Sequence, residues 1–428
     1  MYPNPQDVVP LPARANLEQY RKQAKDLVKA CTSDAPDAIR AWAARWTDRV
    51  DQIERFARDT LTRRDCALTG AQFVIARIHG FGSWPAFAAH LDALAQAASP
   101  VSQFETAADA IVTGDAATLL RLLREHPGLI RARSTREHGA TLLHYVAANG
   151  VDNYRQKTPG NAVRIAEMLL DAGAEVDAGA EMYGGGCTTL GLAATSVHPE
   201  AAGVQDALMQ LLIDRGAVID RPRGAGHTHS FVKACLANGR PKAAEYLAAR
   251  GARVDLEDAA GIGRLDLVVG WFNPDGTVKP PADDRQTRAG FIRACEYGRG
   301  AVVDFLLERE VPAGVSLGPD GQTGLHGAAM GGHAAIVRRL LECQAPVDAV
   351  ENTFNGTPLH WALHGWSNAA VGSARDRYHE VVALLVRAGA NVHPRWFDEH
   401  ADQTTFGKAL RADGRMMAAL RGARPPAG

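Results

Sequence analysis

The sharpest chemical feature is the run Gly226-His227-Thr228-His229-Ser230. Two residues apart, His227 and His229 share one face of any extended segment. Such a pair could ligate a metal, carry protons or touch a ligand; it could equally be two exposed histidines. A metal needs three or four ligands, and no Asp or Glu accompanies the pair in its own stretch, so neither a metal nor a cofactor is expected. Glu296, Tyr297 and Arg288 are the other residues with reactive potential. In an enzymatic reading His229 or Glu296 is the general base, and Tyr297 or Arg288 stabilises negative charge. Tyr183-Gly184-Gly185-Gly186-Cys187 could present backbone N–H groups to an anion. No Lys-Ser/Thr follows it, so it does not read as a phosphate loop. Tyr154, Arg155, Gln156 and Lys157 form either an anion-tolerant lip beside His198 or a solvated loop. Trp361, His364 and Trp366 form either a recognition hot spot or packing against Trp396 and Phe397. The six cysteines stand singly with no CxxC or CxxH, so reduced, mostly buried thiols are expected.

These residues need elements to hold them. The chain has 428 residues, 46% hydrophobic and 22% charged, which excludes a disordered or collagen-like polymer. With 47 basic against 48 acidic residues, it carries no charge bias toward nucleic acid or anionic membrane. No apolar run is long enough to span a bilayer, and the N-terminus lacks the basic-then-apolar pattern of a secretory signal. Arginine outnumbers lysine 39 to 8. A cytoplasmic bacterial protein is expected. Over residues 1–98, Leu17, Tyr20, Ala24, Leu27, Val28 and Cys31 keep helical spacing, and four further apolar patterns follow, around Trp42, Ile53, Phe73 and Phe87. Five helices in a small bundle are predicted, with Ser83 as an N-cap.

From residue 104 the chain repeats itself. The clearest copy is GQTGLHGAAMGGHAAIVRRLLECQAPVDA at 321–349; beside it stands NGTPLHWALHG at 355–365, completed by YHEVVALLVRAGANV at 378–392. GATLLHYVAANG at 139–150 is completed by NAVRIAEMLLDAGAEVDA at 161–178. This pattern resembles the ankyrin repeat, and about eight copies can be read over 104–393, with 394–428 as a C-terminal cap and tail. The resemblance implies an all-α solenoid of helix-turn-helix repeats with short β-hairpin tips. Thr caps each first helix, Gly ends it, and stacking buries what one repeat cannot bury alone. It also implies a structural role for His144, His326 and His360 within the Thr-Pro-Leu-His position, and for His333 and His379.

In such repeats the hairpin tips and the residues before the helix-ending glycine line a concave groove. Carried onto this sequence, those positions give Asn149, Gly184, Gly185, Cys187, Thr195, Ser196, His227, His229, Asn238, Arg288, Glu296, Tyr297, Asp320, Gln322, Phe354 and His364. Four insertions, at 151–160, 196–204, 273–287 and 365–378, lengthen the loops; loops of that length are usually functional or disordered. They add Tyr154, Arg155, His198 and Trp366 to the candidates. The function expected is a non-catalytic scaffold binding a protein or peptide in the groove. The alternative is a small-molecule binder or enzyme with a pocket lined by His227, His229, Glu296 and Tyr297.

Overall fold

The computed structural model describes residues 8–12, 15–61, 66–220, 230–318, 321–393 and 404–423. His227, His229, Asp320, Trp396 and Phe397 therefore lie outside the described residues. The chain divides into two compact units, 1–225 and 226–428.

The first unit begins with five helices: α1 (Leu17–Thr32), α2 (Ala38–Ala43), α3 (Val50–Thr60), α4 (Leu68–Ile78) and α5 (Trp84–Leu94). Asn16 caps α1, whose buried residues Tyr20, Ala24, Leu27 and Cys31 form one stripe. Ser83 caps α5 by accepting the Ala86 N–H at 3.4 Å. Trp42, Ile53, Ile75, Phe81 and Phe87 form the shared core. One expectation is corrected here. Cys31 and Cys66 are joined as a disulfide with Cα atoms 6.0 Å apart, because the end of α1 lies beside the lead into α4. Cys187, Cys235, Cys295 and Cys343 remain thiols.

Helix pairs follow: α6 (Pro100–Thr113) with α7 (Ala116–Glu125), a 3-10 helix Leu142–Ala147 with α8 (Ala162–Asp171), and α9 (Thr189–Thr195) with α11 (Gln205–Asp214). α10 (Val197–Ala201) is the folded form of the 196–204 insertion. Antiparallel bridges Arg133↔Thr141 and Ala180↔Cys187 mark two hairpin tips. The bundle and these pairs share one unit: Glu137 N–H donates to Gly80 O at 2.9 Å, and His90 Nδ1 lies 2.7 Å from Thr135 Oγ1.

The second unit repeats the plan. Its pairs are α12 (Phe231–Ala237) with α13 (Pro241–Ala249), α14 (Leu256–Gly261) with α15 (Leu265–Gly270), and α16 (Asp284–Glu296) with α17 (Gly300–Leu307). Then come α18 (Gly324–Gly331) with α19 (Ala334–Glu342), and α20 (Pro358–Asn368) with α21 (Ser373–Arg387). α22 (Thr405–Ala412) and α23 (Gly414–Ala419) close the end. The strands β1 (Ser316–Leu317) and β2 (Gln322–Thr323) form a hairpin tip in the register Ser316↔Thr323. One apolar cluster runs through the pairs from α14–α15 onward, from Leu256 and Phe291 to Leu325, Val337, Trp366 and Leu385. Both units are thus all-α, built of paired helices with short hairpin tips as expected. The 365–378 insertion is mostly helix rather than loop, since α20 extends to Asn368 and α21 starts at Ser373.

Candidate functional site

In the first unit the 151–160 insertion does not form an open lip. A 3-10 turn, Asn153–Arg155, aims Arg155 inward, where it is 3% exposed. Its guanidinium donates to Glu105 Oε2 and Asp109 Oδ1, both at 2.7 Å, and stands 3.3 Å from Asp152 Oδ2. Arg136, equally buried, donates to Glu105 Oε1 at 2.7 Å and to the Tyr154 hydroxyl at 3.1 Å; its Nε lies 3.1 Å from Asp152 Oδ1. Arg155 also stands 5.2 Å and 5.8 Å from the ring centres of Tyr154 and Tyr145. Burial opposes ionisation of Glu105 and Asp152, but Arg136 and Arg155 outweigh it and hold both carboxyls below their usual range. Burial pushes the Tyr154 phenol up to about 12. Arg155 is consequently unavailable to a ligand: two carboxylates need its charge more than solvent does.

Three other candidates do come together. Asn149 Nδ2 donates to Thr195 Oγ1 at 3.0 Å and to Leu192 O at 3.2 Å, while the Tyr183 hydroxyl donates to Asn149 Oδ1 at 2.9 Å. Tyr183 is 53% exposed and opens four consecutive residues with positive φ, Tyr183 to Gly186. His198 sits half-buried in α10, beyond the Ser196 side chain that accepts its N–H.

In the second unit, the faces of α12, α14 and α16 carry ions that pair with one another. Lys233 Nζ lies 2.5 Å from Glu257, Arg293 lies 3.8 Å from Glu257, and Arg293 Nη1 donates to Glu296 Oε2 at 2.7 Å. The Tyr297 hydroxyl donates to Leu236 O, and burial followed by the Glu296 charge pushes its phenol up. Asn238 Nδ2 donates to Ala234 O at 2.8 Å, and Arg288 pairs with Asp284 at 2.6 Å on the exposed face of α16. Glu296 and Tyr297 meet in one cluster with Arg293, and within it Glu296 accepts from Arg293 while the Tyr297 hydroxyl donates to Leu236 O.

Trp366 is fully buried, which removes it from any recognition surface. It packs edge-on to Phe406, carries Arg375 over its ring at 4.6 Å, and its Nε1–H donates to Asp413 at 3.3 Å. His379 Nε2 reaches the same Asp413 oxygen at 2.9 Å. His364 is exposed on α20, its ring 3.1 Å from Asn368 Nδ2. Before α20, the tip exposes Val350 (52%) and Phe354 (78%). The buried Glu351 carboxylate holds this tip by accepting N–H bonds from Thr353, Phe354 and Gly356 at 2.8–3.0 Å.

From α16 to the tail of α21 the caps repeat in register. Thr323 and Thr357 each place the hydroxyl 2.9 Å from the Nδ1 of the histidine three residues on. Residues 291–396 match the family described as Ankyrin repeats, in three copies. These residues are ankyrin repeats. Palmitoyltransferase Hip14 of Drosophila melanogaster is 36% identical to this chain over 116 residues, which is 26% of this chain and 16% of that protein. The chain thus matches about a sixth of that relative's length. Within the ankyrin pattern His326 is structural as expected: its Nε2 lies 3.1 Å from Gly356 O of the next tip. His144 makes the matching 3.1 Å contact to Cys187 O in the first unit. The sequence did not single out Glu105, Arg136, Asp152, Lys233, Glu257 or Arg293, whose partners lie far along the chain. The one available signal was Asp255-x-x-Asp258, which falls in the Thr-x-x-His register.

Proposed function

We propose that this protein binds a protein or peptide partner through the ankyrin hairpin tips and inner helices, with the contact centred on Val350, Phe354 and His364. Ankyrin repeats are generally protein–protein interaction modules. The observation that carries this focus is the Phe354 side chain, 78% exposed on a tip whose backbone is held by Glu351. A rigid exposed aromatic loses little entropy on docking and supplies a large apolar contact. The faces of α12, α14 and α16 favour the same focus, because their charges already neutralise each other. Glu296 and Tyr297 have their polar atoms engaged within the chain, so nothing favours assigning chemistry to them.

A photo-crosslinking residue at position 354 should trap a discrete partner from native lysate, whereas the same residue at Val269, exposed on α15, should not. With that partner purified, Phe354→Ala should weaken binding about tenfold or more at unchanged melting temperature. Equal crosslinking from both positions, or full affinity in the alanine variant, sinks the proposal.

A further inference from the structure

Three first helices begin with the same device. The ring Nδ1 of His144, His326 and His360 accepts the backbone N–H of the capping Thr at 3.1, 3.2 and 3.2 Å. In His144 and His326 the other nitrogen reaches the next hairpin's carbonyl. A neutral imidazole serves here because it has one acceptor and one N–H donor. Burial lowers the affinity of the His144 and His326 rings for a second proton, and partial desolvation acts in the same direction on the more exposed His360.

In the pair α14–α15 the same register holds Asp255 and Asp258. Asp258 N–H donates to Asp255 Oδ1 at 2.8 Å, and Asp255 N–H points back to Asp258 Oδ2 at 3.4 Å. Ser230, the cap of α12, donates its hydroxyl to Asp258 Oδ2 at 2.8 Å. Asp258 is 1% exposed, and its Oδ1 is buried with no hydrogen-bond partner. A carboxylate offers acceptors only, whereas a carboxylic acid offers the acceptor-and-donor pair that the imidazole offers.

We propose that Asp258 is a pH-responsive latch between the pairs α12–α13 and α14–α15. Protonated, it takes the histidine's place in the repeat; ionised, it sets a buried charge against that of the half-buried Asp255, which Lys233 at 3.8 Å only partly offsets, and loosens the junction. Burial first, and the Asp255 charge second, push its carboxyl up to about 7, while Ser230 and Lys233 oppose the rise. The surrounding groups leave this balance intact. On α14 itself Glu257 is taken by Lys233 of α12. From α16, Gln286 bonds Asp255 and Arg293 faces Glu257. From α12, the buried Cys235 thiol is pushed up to about 12 and stays neutral. Asp266 at the start of α15 pairs with Arg264 in solvent.

The sign follows from the raised value. A carboxyl held above its unfolded pKa stabilises the fold at low pH, and that stability is lost as pH rises from about 4 to about 7. Infrared pH-difference spectra of the full chain should show a protonated-carboxyl band titrating near neutrality, absent in Asp258→Asn. Between pH 5 and 6.5 the wild-type unfolding constant should rise by up to about tenfold per pH unit relative to Asp258→Asn. Amides of 231–262 should exchange correspondingly faster than in that variant. Asp258→His should fold and reverse the slope, because a buried neutral imidazole gains stability as pH rises toward about 6.5, and it serves as the comparison should the asparagine variant fail to fold. Absence of the band in the wild type, or equal pH slopes in wild type and variant, overturns the proposal.

Discussion

At the scale of single residues, burial sorts the candidates more sharply than residue type does. Arg155 and Trp366 have side chains suited to recognition, and both are committed to the interior. Arg155→Ala would leave Glu105 and Asp152 buried with one fewer cation. A loss of about 3–5 kcal/mol in stability is expected, because an unpaired buried charge keeps its desolvation penalty. Arg155→Lys should recover only part of it, since an ammonium cannot reproduce the guanidinium's separate bonds to Glu105 and Asp109. Chemical denaturation of the three proteins measures this. Trp366→Ala should cost about 3–5 kcal/mol through the cavity it leaves. Trp366→Phe should cost less while losing the hydrogen bond to Asp413. Partner affinity measured on folded Trp366→Phe should be unchanged, in contrast to Phe354→Ala.

At the scale of elements, the insertions show what periodicity can and cannot foresee. The helices were readable because each carries a stripe of apolar residues at helical spacing, as in Tyr20, Ala24, Leu27 and Cys31 of α1. The 151–160 segment has no such stripe, and its order comes from charges elsewhere: Glu105 and Asp109 on α6, and Arg136 on the preceding tip. Nothing local in Tyr154-Arg155 announces those partners. Gly150 begins this segment at φ +71, and a Cβ there would meet Met182 Cγ at 2.7 Å. Gly150→Ala should therefore lower the melting temperature markedly, by both backbone strain and overlap. Gly160, at the other end, has no neighbour within 4 Å and no positive φ. Gly160→Ala should be neutral or slightly stabilising. Thermal melts of the two variants side by side test this account of the loop. The candidate cluster Asn149, Tyr183 and Thr195 was partly legible, because groove positions of successive repeats fall together once the repeat is recognised. That their polar atoms bond one another, rather than pointing outward, was not.

At the scale of the whole molecule, the two units should answer pH in opposite directions. In the first, Glu105 and Asp152 are held below the usual carboxylate range, so their contribution is present above an unfolded value of about 4 and disappears as pH falls below it. In the second, the Asp258 contribution disappears as pH rises through about 4 to 7. Hydrogen exchange followed by mass spectrometry, corrected for intrinsic rates, should show residues 100–155 loosening on the acid side. Residues 231–262 should loosen toward neutrality. Parallel behaviour of the two segments would contradict this division. No helix among the described residues is long and apolar enough to cross a membrane, in keeping with the hydropathy of the chain. The sequence alone determined the helical stripes and the first-helix Thr caps, because those depend on spacing within about a dozen residues, and the ankyrin resemblance added the all-α pairing of helices. Only the tertiary structure decided which polar residues face solvent and which are spent on one another. Glu105 and Arg155, or Asp258 and Ser230, are brought together by stacking, and burial changes the energy of a charge in ways no local pattern records.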